Sequence, residues 1–335
     1  MIVLGIESSC DETSVAVIRD GVLASNLISS QDFHKLYGGV VPELSSRAHL
    51  ERVLPLVKKA LADNNLSVND LDLIAATAGP GLIGALLVGF IFGKTLARTS
   101  GIPFVPVNHI EGHIFSGFLM DTKPDFPFLC LVVSGGHTML ILVESFTSMK
   151  ILGTTIDDAA GEAFDKVAKM LNLPYPGGPS VQKAAMAGNP GAIDFPIARL
   201  SNEFDFSFSG VKTSVLRYIQ KLESPPDQEM INNIAASFTA SVTGALLNNV
   251  RKAIKKYKIN TITLTGGVAA NSHLREGFIR LGEKYGKKVV IPDFQFCGDN
   301  AAMIAFRGLS LHEAGEKFDP AYEPFPSFFS KYITG

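Results

Sequence analysis

Cysteine is scarce in this chain: Cys10, Cys130 and Cys297 are the only three in 335 residues, and none forms a C-x-x-C. A disulfide framework is excluded, and an odd, sparse count predicts a reducing compartment. Tryptophan is absent, a lack that selects no function. Charged residues are 19% against 46% hydrophobic ones, which excludes a disordered chain. The net charge is −2, so whole-molecule charge does not attract a polyanion, and any such partner needs a local patch or a second subunit. Low-complexity tracts and long charge runs are also lacking. The N-terminus, Met1-Ile-Val-Leu-Gly-Ile-Glu7, has no basic region and no cleavage site, so no secretory signal is expected. The most apolar run, Gly81 to Leu96, is interrupted by glycines and short for a membrane span. It is expected to be a buried helix, in a cytoplasmic protein that does not engage a membrane.

What is present is a duplication. Ile2–Gly5, a polar turn and Ser14–Ile18 read as strand, turn, strand, and Leu129–Val133, Ser134–Thr138 and Met139–Val143 read the same way. Leu73–Thr77, a Gly-Pro-Gly turn and an apolar helix correspond to Thr261–Thr265, Gly266-Gly267 and a helix from Asn271. Phe104–Val107, followed by a helix at Asn108–His113, corresponds to Val289–Pro292, followed by a helix after Phe296–Asn300. Three units in the same order predict two similar α/β lobes with mixed sheets, residues 1–125 and 126–335, with a cleft between them. The second lobe carries an additional helical segment, about 157–257, with helices at Ala159–Leu171, Gly178–Ala187, Val211–Leu222 and Asp227–Tyr257.

His109 and His113 are four residues apart, share a helix face and can hold one metal ion. The sequence is H-I-E-G-H, so Glu111 is misplaced for the general base of an H-E-x-x-H protease. Two histidines leave a site incomplete, and the duplication offers Asp299, which opens the equivalent helix. The alternative is two histidines that cap or pack on a helix.

The turn Ser134-Gly-Gly-His-Thr138 joins two strands, and its glycines let backbone N–H groups approach a phosphate. Gly266-Gly267 follows a strand and precedes a helix, which suits a nucleotide sugar or phosphate. Either is also compatible with an ordinary turn. Asp165 can bond ribose hydroxyls or be a surface acid. Lys166 can touch phosphate or be solvated. Gly177-Gly178 opens a helix whose N–H groups can receive a ligand. Glu7, Asp11 and Glu12 form an acidic turn that can hold a metal-bound phosphate or orient a nucleophile, or be a solvated tip. Cys10 has no general base beside it and reads as structural.

Together these motifs resemble a known family. Gly5-Ile-Glu-Ser-Ser-Cys-Asp-Glu-Thr13, Asn108-His-Ile-Glu-Gly-His113, Val133-Ser-Gly-Gly-His-Thr138 and Asp157-Asp-Ala-Ala-Gly-Glu-Ala-Phe-Asp-Lys166 carry the resemblance. So do Tyr175-Pro-Gly-Gly-Pro179, Phe206-Ser-Phe-Ser-Gly-Val-Lys-Thr213, Thr265-Gly-Gly-Val-Ala-Ala-Asn271 and Cys297-Gly-Asp-Asn300. The chain is similar, over nearly its whole length, to the tRNA N6-adenosine threonylcarbamoyltransferases, and Tyr37–His49 looks like their bacterial branch. The resemblance implies an ASKHA (actin/Hsp70/sugar-kinase-like) duplicated two-lobe fold. It implies transfer of threonylcarbamoyl from threonylcarbamoyl-adenylate to N6 of the adenosine 3′ of the anticodon, in tRNAs reading codons that begin with A, with release of AMP.

By the same motifs, His109, His113 and Asp299 would bind one divalent ion, Fe2+ or Zn2+. Val132, Val133, Ser134, Gly135, Gly136, Asp165, Gly178, Gln182 and Asn271 would bind the adenylate, and Asp11 or Glu12 is the candidate general base. The implied partners are tRNA, an inactive paralogue of the same fold and a small P-loop ATPase. Arg47, Arg52, Lys212 and Arg251 are candidate tRNA contacts. Two departures stand out: Gln182 replaces the family's usual acid, and the tail Phe325–Gly335 lacks a Trp- and Arg-containing ending. The rival readings are a glycoprotein-cleaving metalloprotease, and a non-catalytic subunit or kinase of the same fold.

Overall fold

The computed structural model describes residues 1–328, 330 and 332–334. Phe329, Lys331 and Gly335 of the atypical tail lie outside the described residues. The first sheet is built from β1 (Ile2–Glu7), β2 (Glu12–Arg19), β3 (Val22–Ser30), β4 (Leu73–Gly79) and β5 (Phe104–Asn108), in the order β3-β2-β1-β4-β5. Between them lie α1 (Pro42–Asp63) and α2 (Ile83–Ser100), and α3 (His109–Phe115) follows β5. Five strands of the six-stranded second sheet, β6 (Phe128–Val133), β7 (Thr138–Ser145), β8 (Ser148–Thr154), β9 (Thr261–Thr265) and β10 (Lys288–Val290), run in the order β10-β9-β6-β7-β8.

The two orders are the same when read from opposite ends. β1 pairs antiparallel with β2 and parallel with β4. β6 pairs antiparallel with β7 and parallel with β9. The duplication legible in the sequence is thus a duplication of strand order and direction. Central strands such as β4 and β6 are buried at every residue, which is why they read as continuous apolar runs rather than alternating ones.

The predicted insertion is helical: α4 (Ala160–Met170), α5 (Gly177–Ala185), α6 (Ser209–Gln220) and α7 (Gln228–Lys256), with α8 (Ser272–Tyr285) after β9. Its ends differ from the sequence expectation by a few residues. The short α9 (Phe294–Cys297) and α10 (Ala301–Glu313) complete the chain's helices described here. β3, β8 and α1 were not foreseen; β3 is largely half-exposed, without a clean apolar alternation.

The chain divides into two compact units: Met1–Lys123 with Phe146–Ser148 and Pro292–Thr334, and Pro124–Ser145 with Met149–Ile291. The expected boundary, 1–125 and 126–335, therefore differs at the C-terminus, where α10 belongs with the first unit. The reason is small-residue packing. A Cβ on Gly5 of β1 would lie 2.5 Å from the Ala301 carbonyl oxygen and 2.7 Å from Ala305 Cβ, and one on Gly308 would lie 2.4 Å from Ala75 Cβ of β4. Glycine and alanine let α10 lie directly on the first sheet. α2 and α7 are long and apolar enough to cross a membrane by length and composition, and both have buried faces within their units.

Candidate metal centre and nucleotide cavity

In the first unit, α3 starts at the last residue of β5. The Asn108 side chain caps it, accepting from the amides of Ile110 (2.9 Å) and Glu111 (3.2 Å). That fixes the first turn and turns His109 and His113 to one side. Asn300 caps α10 in the same way, through the amide of Met303 at 3.1 Å, and Asp299 stands just before it. The three residues meet: Asp299 Oδ1 lies 3.4 Å from His109 Nε2 and 3.1 Å from His113 Nε2. One ligand atom from each lies within 4.8 Å of the others. On the far side of His109, Nδ1 lies 3.1 Å from Glu7 Oε2 and 3.2 Å from Ser9 Oγ. Glu7 is fully buried and also accepts from Thr77 Oγ1 at 2.6 Å.

The donor set fits a cation. Two imidazole nitrogens converge on one carboxylate oxygen, and a carboxylate behind His109 orients the ring and raises its basicity as a ligand. Two nitrogens and an oxygen suit Zn2+ or Fe2+ better than Mg2+ or Ca2+. The electrostatics agree. Burial opposes charge on His109, but Asp299 and Glu7 outweigh it and hold the imidazolium well above its usual range. Burial would raise Asp299, but the two histidines hold its carboxyl far below the usual carboxylate range. Glu12 is pushed up to about 9 by burial, with Asp299 and Asp11 adding repulsion. The protein thus gathers more negative charge than two imidazoles neutralise, and a divalent ion would offset it.

Glu111 is not part of this centre. It accepts from Arg307 Nε at 2.8 Å and Nη2 at 2.5 Å, both residues being buried, and it also accepts from Ser330. A carboxylate locked to a buried guanidinium is not free to activate water, which removes the protease reading. Burial, followed by Asp11, pushes the Cys10 thiol far above its usual range, in keeping with a structural cysteine.

The acidic turn is clamped from behind by buried polar side chains. His49 contacts Thr13 Oγ1 through Nδ1 at 2.8 Å and the Cys10 carbonyl through Nε2 at 3.0 Å, bracketing Asp11 and Glu12. Gln31 joins it at 3.3 Å, and His34 Nε2 lies 2.9 Å from Gln31 Oε1. These contacts join three separate segments, around Cys10–Thr13, Gln31–His34 and Ser45–His49.

In the second unit, a cavity of about 250 Å³ is lined by Gly135, Gly161, Phe164, Asp165, Gly178, Pro179, Gln182, Gly267, Val268, Ala270 and Asn271. Of the nine expected adenylate-binding residues, it brings together Gly135, Asp165, Gly178, Gln182 and Asn271. Val132 and Val133 are buried in β6 and do not line it. Ser134 shapes the turn, its amide donating to the His137 carbonyl at 2.8 Å and its Oγ accepting from the His137 amide at 3.1 Å. Gly136 is exposed beside it.

The cavity's glycines are of two kinds. A Cβ on Gly161 would meet the Ser134 carbonyl at 2.6 Å, and one on Gly266 (φ +91°) the Val133 carbonyl at 2.4 Å, so these permit close packing of the walls. Gly135, Gly178 and Gly267 have nothing within 4 Å of a Cβ and no positive φ. Neither the chain's packing nor a positive φ requires glycine there, and the space beside these three is open. Asp165 Oδ1 accepts from the Gly177 amide at 2.7 Å; burial raises its pKa despite this bond and a second one from Gly178. Gln182 Oε1 accepts from the Ser272 amide at 2.9 Å, so its carbonyl is committed to α8 and its NH2 group is the end left for a ligand. Gly161, Phe164, Val268 and Ala270 were missed in the sequence, although the Gly in Asp-Asp-Ala-Ala-Gly was a signal of close approach.

A family model described as TsaD, tRNA N6-adenosine threonylcarbamoyltransferase, matches residues 21–306. The chain belongs to this family. It is 49% identical to the tRNA N6-adenosine threonylcarbamoyltransferase of Thermosipho africanus over 98% of this chain and 99% of that one. It is 48% identical to the enzyme of that name from Phocaeicola vulgatus, over 92% and 93%. It is therefore a transferase that acts on tRNA adenosine. Among solved structures, HypF of T. kodakarensis matches with a TM-score of 0.66 at 15% identity, over 94% of this chain and 48% of that one. The activator of the 2-hydroxyisocaproyl-CoA dehydratase from Clostridium difficile matches with a TM-score of 0.51 at 13% identity, over 95% and 99%. These likenesses concern the fold alone, which is of the expected ASKHA type.

Proposed function

We propose that the chain transfers threonylcarbamoyl from threonylcarbamoyl-adenylate to N6 of the adenosine 3′ of the anticodon, releasing AMP, with one Fe2+ or Zn2+ ion held by His109, His113 and Asp299. The observation that carries this reading is a cavity whose wall has three glycines facing open space, in the same chain as an N,N,O donor set backed by a buried carboxylate. The metal ion, when bound, would polarise a carbamoyl or phosphate oxygen. The backbone amides of Gly135 and Gly267 bind the adenylate, with Val132–Gly136 as the strand and turn that present Gly135, while Gly178, whose amide is held by Asp165, leaves room for the ligand. The NH2 group of Gln182 donates to a ribose oxygen, and Asn271 and Asp165 fix the walls. Adenine N6 is a weak nucleophile, so orientation supplies much of the rate; of the two candidate bases, Asp11 receives its proton, because Glu12, pushed up to about 9, already carries one. The target base leaves its stack to react.

The partners in this reading are a catalytically inactive paralogue and a small P-loop ATPase. An exposed apolar face supports the former: Leu50 and Leu54 on α1, and Ile83, Leu87 and Ile91 at four-residue spacing on the adjoining α2. The ATPase rests on the family resemblance. Three free cysteines support a cytoplasmic location. Incubation of the metal-loaded chain and its partners with threonylcarbamoyl-adenylate and unmodified tRNA, followed by mass spectrometry of the nucleosides, tests the reaction. A threonylcarbamoyl-adenosine peak that Asp299→Ala abolishes is expected; no peak from folded protein overturns it.

A further inference from the structure

Among the described residues, Asn248 to Lys258 hold Arg251, Lys252, Lys255, Lys256 and Lys258 and no acid, in a chain whose net charge is −2. Beside this stretch the second unit opens a cavity of about 480 Å³ whose lining includes Arg199, Asn248, Asn249, Lys252, Phe206 and Ser207. The acids on its rim are already engaged. Glu203 Oε1 pairs with Lys256 at 2.9 Å, and Asp205 Oδ1 accepts from the Thr154 amide and Asn202 Nδ2, both at 3.0 Å. The cations are not used up. Arg199 is exposed and makes no ion pair among the described residues, and exposed Arg251 bonds only the Asn248 amide oxygen, at 2.5 Å. Lys252 Nζ is held at the wall by the Glu203 carbonyl (2.8 Å) and Asn249 Oδ1 (3.2 Å). Basic residues at a helix end also complement its dipole. That accounts for Lys255 and Lys256 but not for Arg199, which comes from a separate segment to the same cavity.

The cavity shares its framework with the nucleotide site. Its wall residue Ser207 donates to Asp157 Oδ2 at 2.5 Å, and the neighbouring Phe208 amide donates to Asp157 Oδ1 at 2.8 Å. Asp157 lies three residues before α4, which carries Gly161, Phe164 and Asp165 of the smaller cavity. Of the four candidate tRNA contacts, Arg47 is paired with Glu43 and Lys212 with Asp158, while Arg52 is bonded to the Ser30 carbonyl. Arg251 does not line the cavity, but its guanidinium is bonded to the lining residue Asn248, which places it at the cavity's edge.

We propose that the cavity binds the ribose-phosphate backbone of the tRNA, with Arg199 and Arg251 each meeting a phosphate and Lys252 and Asn248 lining the seat. Contacts of this kind position the RNA without reading its sequence. The test is fluorescence anisotropy of the full chain with a labelled, unmodified tRNA transcript, titrated between roughly 50 and 200 mM salt. The double variant Arg199→Ala/Arg251→Ala is expected to bind several-fold more weakly at low salt, with a salt slope reduced by about one per residue removed. Its affinity for AMP is expected to stay unchanged, and Arg98→Ala, an exposed cation on α2, is expected to leave tRNA binding unchanged. The proposal is overturned if the double variant keeps the parent's affinity and slope, if Arg98→Ala has the same effect, or if the parent chain shows no salt-dependent tRNA binding.

Discussion

The metal centre and the nucleotide cavity are built from opposite materials. The first is made of side chains: two imidazoles and a carboxylate placed by capped helix starts, with Glu7 backing His109. The second is made largely of backbone, with glycines at the points of approach and few polar side chains. A site made of side chains fails when an atom is removed, and a site made of backbone fails when one is added. The two should therefore respond to different substitutions.

The largest expected effect is at the metal centre. Asp299→Ala should lower metal content from about one ion per chain to a small fraction, by elemental analysis, because two ligands do not complete a site. Glu7→Gln keeps all three ligands and should weaken metal affinity by roughly 10–100-fold in a chelator competition. Equal affinity in that variant would remove the orienting role given to Glu7. At the cavity, Gly178→Val adds atoms where the protein has none within 4 Å. It should weaken AMP binding by at least ~tenfold, by calorimetry, with little change in thermal stability.

Glu111→Gln sharpens the contrast by touching neither site. It leaves Arg307 buried without its counter-ion and should cost roughly 3–5 kcal/mol, read as a lower urea midpoint, while metal content is retained. Loss of metal with unchanged stability would return Glu111 to the centre. The smallest effect concerns pH. Burial holds His49 below its ordinary pKa, with an opposing contribution from its bond to the Cys10 carbonyl. The folded state then binds fewer protons than the unfolded one, so this stability is present above about pH 6.5 and is lost as pH falls through the depressed value. Urea midpoints of His49→Gln should decline less between pH 7 and 5 than those of the parent; equal declines would contradict the neutral, clamping role.

The same contrast explains what the sequence disclosed. His109 and His113 were legible because helical spacing is a local rule, and Asp299 because the duplication aligned two helix starts. The recurrence of three strand and helix units in each half was legible for the same reason. The membership of α10 was not, since it depends on Gly5, Gly308 and alanines that fit only once sheet and helix meet. In the cavity, Asp165, Gly178 and Asn271 were marked by their turns, but Phe164 and Val268 are apolar residues whose role as lining comes from packing. The clamp around the acidic turn was hidden because His34, His49 and Gln31 contribute through tertiary hydrogen bonds with no sequence period.

The most direct test measures both ligands in both variants: metal by elemental analysis and AMP by equilibrium dialysis, in Asp299→Ala and Gly178→Val. Two independently built sites predict that Asp299→Ala loses metal and keeps AMP binding, and that Gly178→Val does the reverse. Loss of both ligands in either folded variant, or of neither, would contradict the account.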